Sequence, residues 1–199
     1  MDYFLTEEQQ MIKDTARDLT EEKIIPQRAE LDERNEFAGD LLRTIAQADL
    51  FSIFIPEEYG GIGGGCFEMV IALEELARGC VGVATSFAAN ALGIFPVLLA
   101  GSKEMQQKYL PSIAQGKTWA AFGLTEAGAG SDAAGVRTTA RLDGDEWVLN
   151  GTKQWITNGG EAQVYTILAL TNPEKGIRGA SLFIVEDGDP GFSYGKKED

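Results

Sequence analysis

"VRTTARLDGDEWVLNG", Val136 to Gly151, alternates with a period of two on either side of Asp143-Gly144. That pattern belongs to two strands joined by a tight hairpin turn. It decides how the preceding stretch is read. "FGLTEAGAGSDA", Phe122 to Ala133, contains a Gly-x-Gly-x-x-Ala run that invites assignment as the phosphate turn of a dinucleotide-binding fold. Such a fingerprint needs a strand before it, a helix after it and an acidic residue about 20 positions on. Here a hairpin follows, and Asn150 stands where the acid should be. With the doubly wound fold excluded, two readings remain. One is a plain surface loop. The other is a tight turn at Gly128 and Gly130, whose amide N–H groups converge with the Ser131 hydroxyl on a pyrophosphate.

Downstream of the hairpin, "VYTILAL" and "ASLFIVE" are β-branched or aromatic runs separated by "TNPEKGIRG", which carries Pro and Gly in turn positions. Upstream the periodicity is helical. "TEEQQMIKDTARDLTEEKII" has Thr6 and Gln9 at capping-box spacing, with Met11, Ile12, Thr15 and Leu19 at helical intervals. Pro26 sits near its end or kinks it. Leu41, Leu42, Ile45 and Ala46 mark a second helix, followed by "FSIFIPEEYGGIGGG", where Pro56 and the glycines predict an exposed loop. Met69, Leu73, Leu76 and Ala77 form the stripe of a third helix. Val81 to Ala100 reads as a helix buried on most sides. A last helix over "KEMQQKYLPSIAQ" is capped by Ser102, is irregular in its final turn at Pro111, and ends at Gly116. The expected fold class is α+β: an amino-terminal all-α helical domain, residues 1–117, followed by an incomplete antiparallel β-barrel domain, residues 118–199.

Composition narrows the function. With 199 residues and 44% apolar content, the chain can bury a sizeable core. A formal charge of −14 argues against a nucleic-acid partner or an anionic membrane surface. The acidic start "MDYFLTEEQQ" is unlike a signal peptide, and no uninterrupted apolar run approaches the roughly 20 residues of a membrane helix. A cytoplasmic location with no membrane partner is the expectation. Cys66 and Cys80 match no zinc spacing and are read as packed, reduced thiols. The chain has no histidine, which removes His-dependent triads and His metal ligands, and no metal site is expected. Glu57, Glu58, Asp143 and Asp145 sit beside Gly-rich turns and read as solvated charges, not catalysts.

"LTEAGAGSDA", preceded by "LPSIAQGKTWAAFG" and followed by "NGTKQWITNGG", closely resembles the acyl-CoA dehydrogenase family, as do "FLTEEQQMIKDTARDL" and "IPEEYGG". The resemblance runs over essentially the whole chain. It implies an amino-terminal helical domain, a middle β-barrel and a carboxy-terminal helical bundle that is absent here. It also implies FAD as cofactor, an acyl-CoA substrate desaturated at its α,β bond, an electron-transfer flavoprotein as electron acceptor, a place in fatty acid metabolism, and a homo-oligomer, tetramer or dimer, when complete. Carried across by residue, Phe122 to Ser131 become the first flavin segment. Main chain around Leu124 and the Thr125 hydroxyl serve the pyrimidine end of the ring, while Gly130 and Ser131 serve the pyrophosphate, with Ser131 beside the CoA thioester. Trp155, Ile156 and Thr157 become the second segment, the indole packing on the ring and the Thr157 hydroxyl reaching toward N5. Ala127 stands where the family usually has proline, and Phe122 lacks a hydroxyl that some members have. The family's carboxylate base lies in the absent domain, so no catalytic residue is assigned. This portion alone is expected to be inactive, the alternatives being a non-catalytic truncated product or a same-fold oxidase, flavin monooxygenase or enoyl-CoA reductase. Turnover by these residues alone would turn attention to Glu126 and Asp132 beside the flavin loop.

Overall fold

The computed structural model describes residues 4–197. Helix α1, Glu7–Leu19, opens with the capping box read from the sequence: Gln9 N–H donates to Thr6 Oγ1, and the Gln9 side chain accepts from Thr6 N–H. One π-helical turn, Thr20–Ile24, joins it to α2, Ile25–Arg34. Pro26 therefore does not end the helix. It lies in the first turn of α2, directly after the π-helical turn. Helix α3, Gly39–Gln47, buries Leu41, Leu42, Ile45 and Ala46, the four positions its pattern singles out.

The stretch after α3 corrects the expectation of an exposed loop. Phe51, Ile53, Phe54 and Ile55 are all at most 2% exposed, and Phe51 packs edge-on against Phe87 at 5.1 Å and tilted against Trp119 at 5.3 Å. Two short 3-10 turns, Leu50–Ser52 and Glu57–Tyr59, satisfy backbone groups locally, so the chain crosses the core without a regular element. Glu57 and Glu58 remain exposed.

Helix α4, Cys66–Gly79, turns Leu76 into the core, with Met69, Leu73 and Ala77 half-buried against it. Its Glu75 is buried and receives Arg17 Nη2 at 2.7 Å, tying α4 to α1. Helix α5, Val81–Ala100, has the length and composition of a membrane span, but here it is the central helix of the fold, with Phe87, Ala91 and Ile94 buried. One face differs from expectation, because Val81, Leu92 and Leu99 are exposed. Helix α6, Lys103–Ala114, is capped by the Ser102 hydroxyl, which accepts from Met105 N–H. It stays helical past Pro111, and Gly116 follows at φ 62°, a conformation that only glycine adopts without strain.

The strands are β1 (Ala120–Gly123), β2 (Thr139–Asp143), β3 (Glu146–Asn150), β4 (Val164–Leu170) and β5 (Ala180–Glu186). Strands β2 and β3 form the expected hairpin, with Gly144 at φ 62° in its turn. Strands β4 and β5 pair antiparallel over their full lengths. Strand β1 was not legible as a strand, because it is short and has no alternation. It pairs parallel with β4, so the sheet is mixed rather than wholly antiparallel. The hairpin joins β4 only at Thr139↔Leu170, leaving the sheet open, as an incomplete barrel must be. Helix α5 lies directly on β1. A Cβ at Gly93 would stand 2.8 Å from Ala120 Cβ and 2.9 Å from Ala121 N, so only glycine permits this approach. The helical core and the strand that leads into the first motif are thus one packed unit.

Candidate functional site

Two sequence motifs meet at the end of β1. The segment that leaves β1 at Leu124 lies beside the segment Gly151–Gly160, which approaches β4. Three bonds lace them together: Gln154 N–H donates to Thr125 O at 2.8 Å, Lys153 Nζ to Leu124 O at 3.1 Å, and Lys153 Nζ to Glu126 Oε1 at 2.7 Å. The Glu126 carboxylate also accepts from Thr138 N–H (3.0 Å), Thr138 Oγ1 (2.6 Å) and Arg137 N–H (2.7 Å), which anchors both segments to the approach of β2. Both charged side chains are nearly enclosed, Lys153 at 8% and Glu126 at 10% exposure. Burial alone would raise the Glu126 pKa, but Lys153, Thr138 and the two amides outweigh it and hold the group down to about 2. A carboxylate so committed is a poor proton acceptor, so Glu126 is not a candidate base. Asp132 is exposed, and its carboxylate accepts from Ala134 N–H.

The turn at Gly128 and Gly130 is not built as expected. Neither glycine is in the left-handed region; the turn is closed by Ala129 N–H donating to Glu126 O (3.0 Å) and Glu126 N–H to Ala129 O (3.1 Å). A Cβ at either glycine would meet nothing within 4 Å. The fold itself does not require glycine there, and the open space leaves the backbone approachable by a ligand.

In the second segment, Trp155 holds φ 60° and Asn158 φ 64°. Left-handed backbone is uncommon for a bulky residue, and such strain collects at functional sites. Asn158 explains how it is held here. Its Nδ2 donates to Ser86 O on α5 (3.0 Å) and to Ala120 O on β1 (3.1 Å), while Asn90 Oδ1 accepts from Ala120 N–H (2.7 Å). Asn158→Ala would take this donor from the buried Ala120 carbonyl and from the part-buried Ser86 carbonyl. We expect a stability loss of about 2 kcal/mol, read by urea unfolding. A loss within experimental error would show that Asn158 does not hold the loop.

Trp155 is 63% exposed, and Ile156 and Thr157 are half-buried. All three line an open groove of about 2180 Å³, together with Lys153, Phe183 and Tyr194. Its size exceeds the roughly 300–1,000 Å³ of an enclosed ligand pocket. Phe122, Leu124 and Thr125 are half-buried and Gly130 and Ser131 exposed; these five do not line the groove, which the first segment reaches only at Ala127. The structure thus unites the two segments through backbone and the Glu126–Lys153 pair, not in one cavity. Lys153, Asn158 and Asn90 were missed from sequence. Their partners are 27 to 72 positions away, and no local pattern signals them.

Comparison with known proteins agrees with this architecture. The family model for the acyl-CoA dehydrogenase N-terminal domain matches residues 6–117, and that for the acyl-CoA dehydrogenase middle domain matches residues 121–199. The chain is 44% identical to the acryloyl-CoA reductase (NADH) of Anaerotignum propionicum, over 100% of this chain and 51% of that protein. Among solved structures, butyryl-CoA dehydrogenase from Megasphaera elsdenii superposes with a TM-score of 0.94 at 39% identity, covering 100% of this chain and 53% of that one. An acyl-CoA dehydrogenase from Bacillus anthracis, complexed with FAD, superposes with a TM-score of 0.87 at 38% identity, covering 98% and 33%. The chain spans about half the length of the curated relatives it matches. With both domain models matched in chain order and the fold shared throughout, this chain belongs to the acyl-CoA dehydrogenase family.

Proposed function

We propose that these residues form the flavin-holding part of an acyl-CoA dehydrogenase that removes hydrogen from the α,β bond of an acyl-CoA thioester. The observation that carries this is the laced pair of segments, with Trp155 held strained and exposed at φ 60° where they meet. FAD, when bound, supplies the hydride acceptor. In this reading Trp155 packs on the ring, Ile156 and the Thr157 hydroxyl face it, and Leu124 main chain and Thr125 hold its pyrimidine end. Ser131 and the open backbone from Gly128 to Gly130 hold the pyrophosphate, Ser131 lying also beside the thioester. Phe122 supports this segment from β1. The proton-abstracting carboxylate is contributed from outside these residues, and electrons leave to an electron-transfer flavoprotein. The complete enzyme is a cytoplasmic homo-oligomer in fatty acid metabolism.

Visible absorption of the full-length protein, incubated with FAD and then freed of unbound flavin by gel filtration, tests this reading. The parent should turn yellow, with Trp155→Ala, Thr157→Ala and Ser131→Ala each weakening binding or slowing flavin reduction by about 1–3 kcal/mol per lost contact. A colourless parent, or three variants identical to it, would refute the assignment. The alternative in which the same site runs toward saturation of an enoyl-CoA is met in the relative named as a reductase. Incubation of the holoenzyme with enoyl-CoA and a reductant, compared with acyl-CoA and an oxidant, separates the two directions.

A further inference from the structure

We propose that the Glu126–Lys153 pair is the positioning device of the flavin site: it sets the spacing of segments 124–131 and 155–157 by holding them, not by contacting the ligand. The inference rests on the reading of those segments as the FAD site. Lys153 spans both, donating to Leu124 O and Glu126 Oε1, and the next residue donates to Thr125 O. Glu126 in turn collects donors from Arg137 and Thr138 ahead of β2. One ion pair therefore connects the end of β1, the approach to β2 and the turn that carries Trp155, three pieces that no strand pairing joins directly. Stability alone does not account for it. A buried pair loses so much hydration that apolar replacement is often neutral or stabilising, and fixing one arrangement of the chain is its better-attested use. Its placement also matters, because Trp155 is only two residues from Lys153 and holds a left-handed backbone that the surroundings must enforce. If the lysine let go, of the three bonds that lace the two segments only that from Gln154 N–H to Thr125 O would remain, and the spacing of Leu124 and Thr125 from the indole would loosen.

The test compares the full-length parent with Lys153→Met, Lys153→Arg and the double variant Glu126→Gln/Lys153→Met, which leaves no buried charge unpaired and guards against misfolding of the single variant. FAD affinity should fall on the order of tenfold to hundredfold in Lys153→Met and in the double variant, by analogy with the loss of metal affinity when the partners that orient metal ligands are removed. The visible circular dichroism of the bound flavin should change, and the Gln154 amide should exchange faster in FAD-free protein. Lys153→Arg should recover most of the affinity and the parental dichroism, since a guanidinium keeps both the charge and the donors. Variants that lose thermal stability yet bind FAD with parental affinity and dichroism would overturn the proposal and leave a purely structural pair. A parent that binds no FAD would overturn the functional reading and this inference together. A parent that binds, with every variant equal to it, overturns the inference alone.

Discussion

Phe51→Ala is expected to destabilise the protein by about 3–5 kcal/mol, the usual loss for deleting a buried phenylalanine. Phe51 is 0% exposed and touches three other rings, with centroids at 6.3 Å (Phe54), 5.1 Å (Phe87) and 5.3 Å (Trp119). The substitution removes ring–ring contacts as well as area, and the three facing aromatics cannot collapse into the space without leaving their rotamers. Against a total stability on the order of 5–15 kcal/mol, such a loss brings the fold near its limit. The effect should reach the site, because Trp119 stands at the seam. Its carbonyl accepts from Gln163 N–H and Val164 N–H at the start of β4, and its own N–H donates to Gln163 Oε1. Urea unfolding followed by tryptophan fluorescence measures the loss. A value below about 1 kcal/mol would mean that the aromatic cluster repacks freely.

The same residue shows where sequence reading stops. Thr6 with Gln9, the α3 stripe, the Ser102 cap and the Asp143-Gly144 hairpin were legible because each rests on contacts within a few positions of chain. The run "FSIFI" carries neither a period of two nor of 3.6, and the rings that cover it, Phe87 on α5 and Trp119 ahead of β1, are distant in sequence. Strand β1 was hidden for a related reason: Ala120 and Ala121 are both 0% exposed, so no alternation marks their faces. At the site, the motif residues were nominated through resemblance, and the groups bonded to their segments were not. Glu126 drew attention only as a carboxylate near a ligand, and its actual partner lies 27 positions on. Spacing could not reveal that pair, because the hairpin and its flanking loops decide how the intervening chain returns.

Acid should weaken the protein measurably through that one carboxylate. Glu126 is held at about 2, against 4.5 for a free glutamate, so it stays charged in the folded state where the unfolded chain already binds a proton. Its contribution is complete above pH 4.5 and is lost as pH falls from there toward 2. By linkage the loss is about 2 kcal/mol at pH 3 and about 3 kcal/mol near pH 2. Glu75, held low by Arg17, and Glu186, held low by Lys108, lose stability in the same direction. A bare acid titration therefore cannot isolate Glu126. Unfolding free energies of the parent and of Glu126→Gln/Lys153→Met, each at pH 7 and pH 3, remove the shared background. The parent should lose about 2 kcal/mol more than the double variant over that interval. Equal losses would mean that the carboxylate titrates normally and is not clamped by Lys153, Thr138 and the Arg137 amide. The sign also separates this pair from an activated acid: a carboxyl poised for proton transfer would have its pKa raised, and its removal would make the protein more tolerant of high pH, not of low.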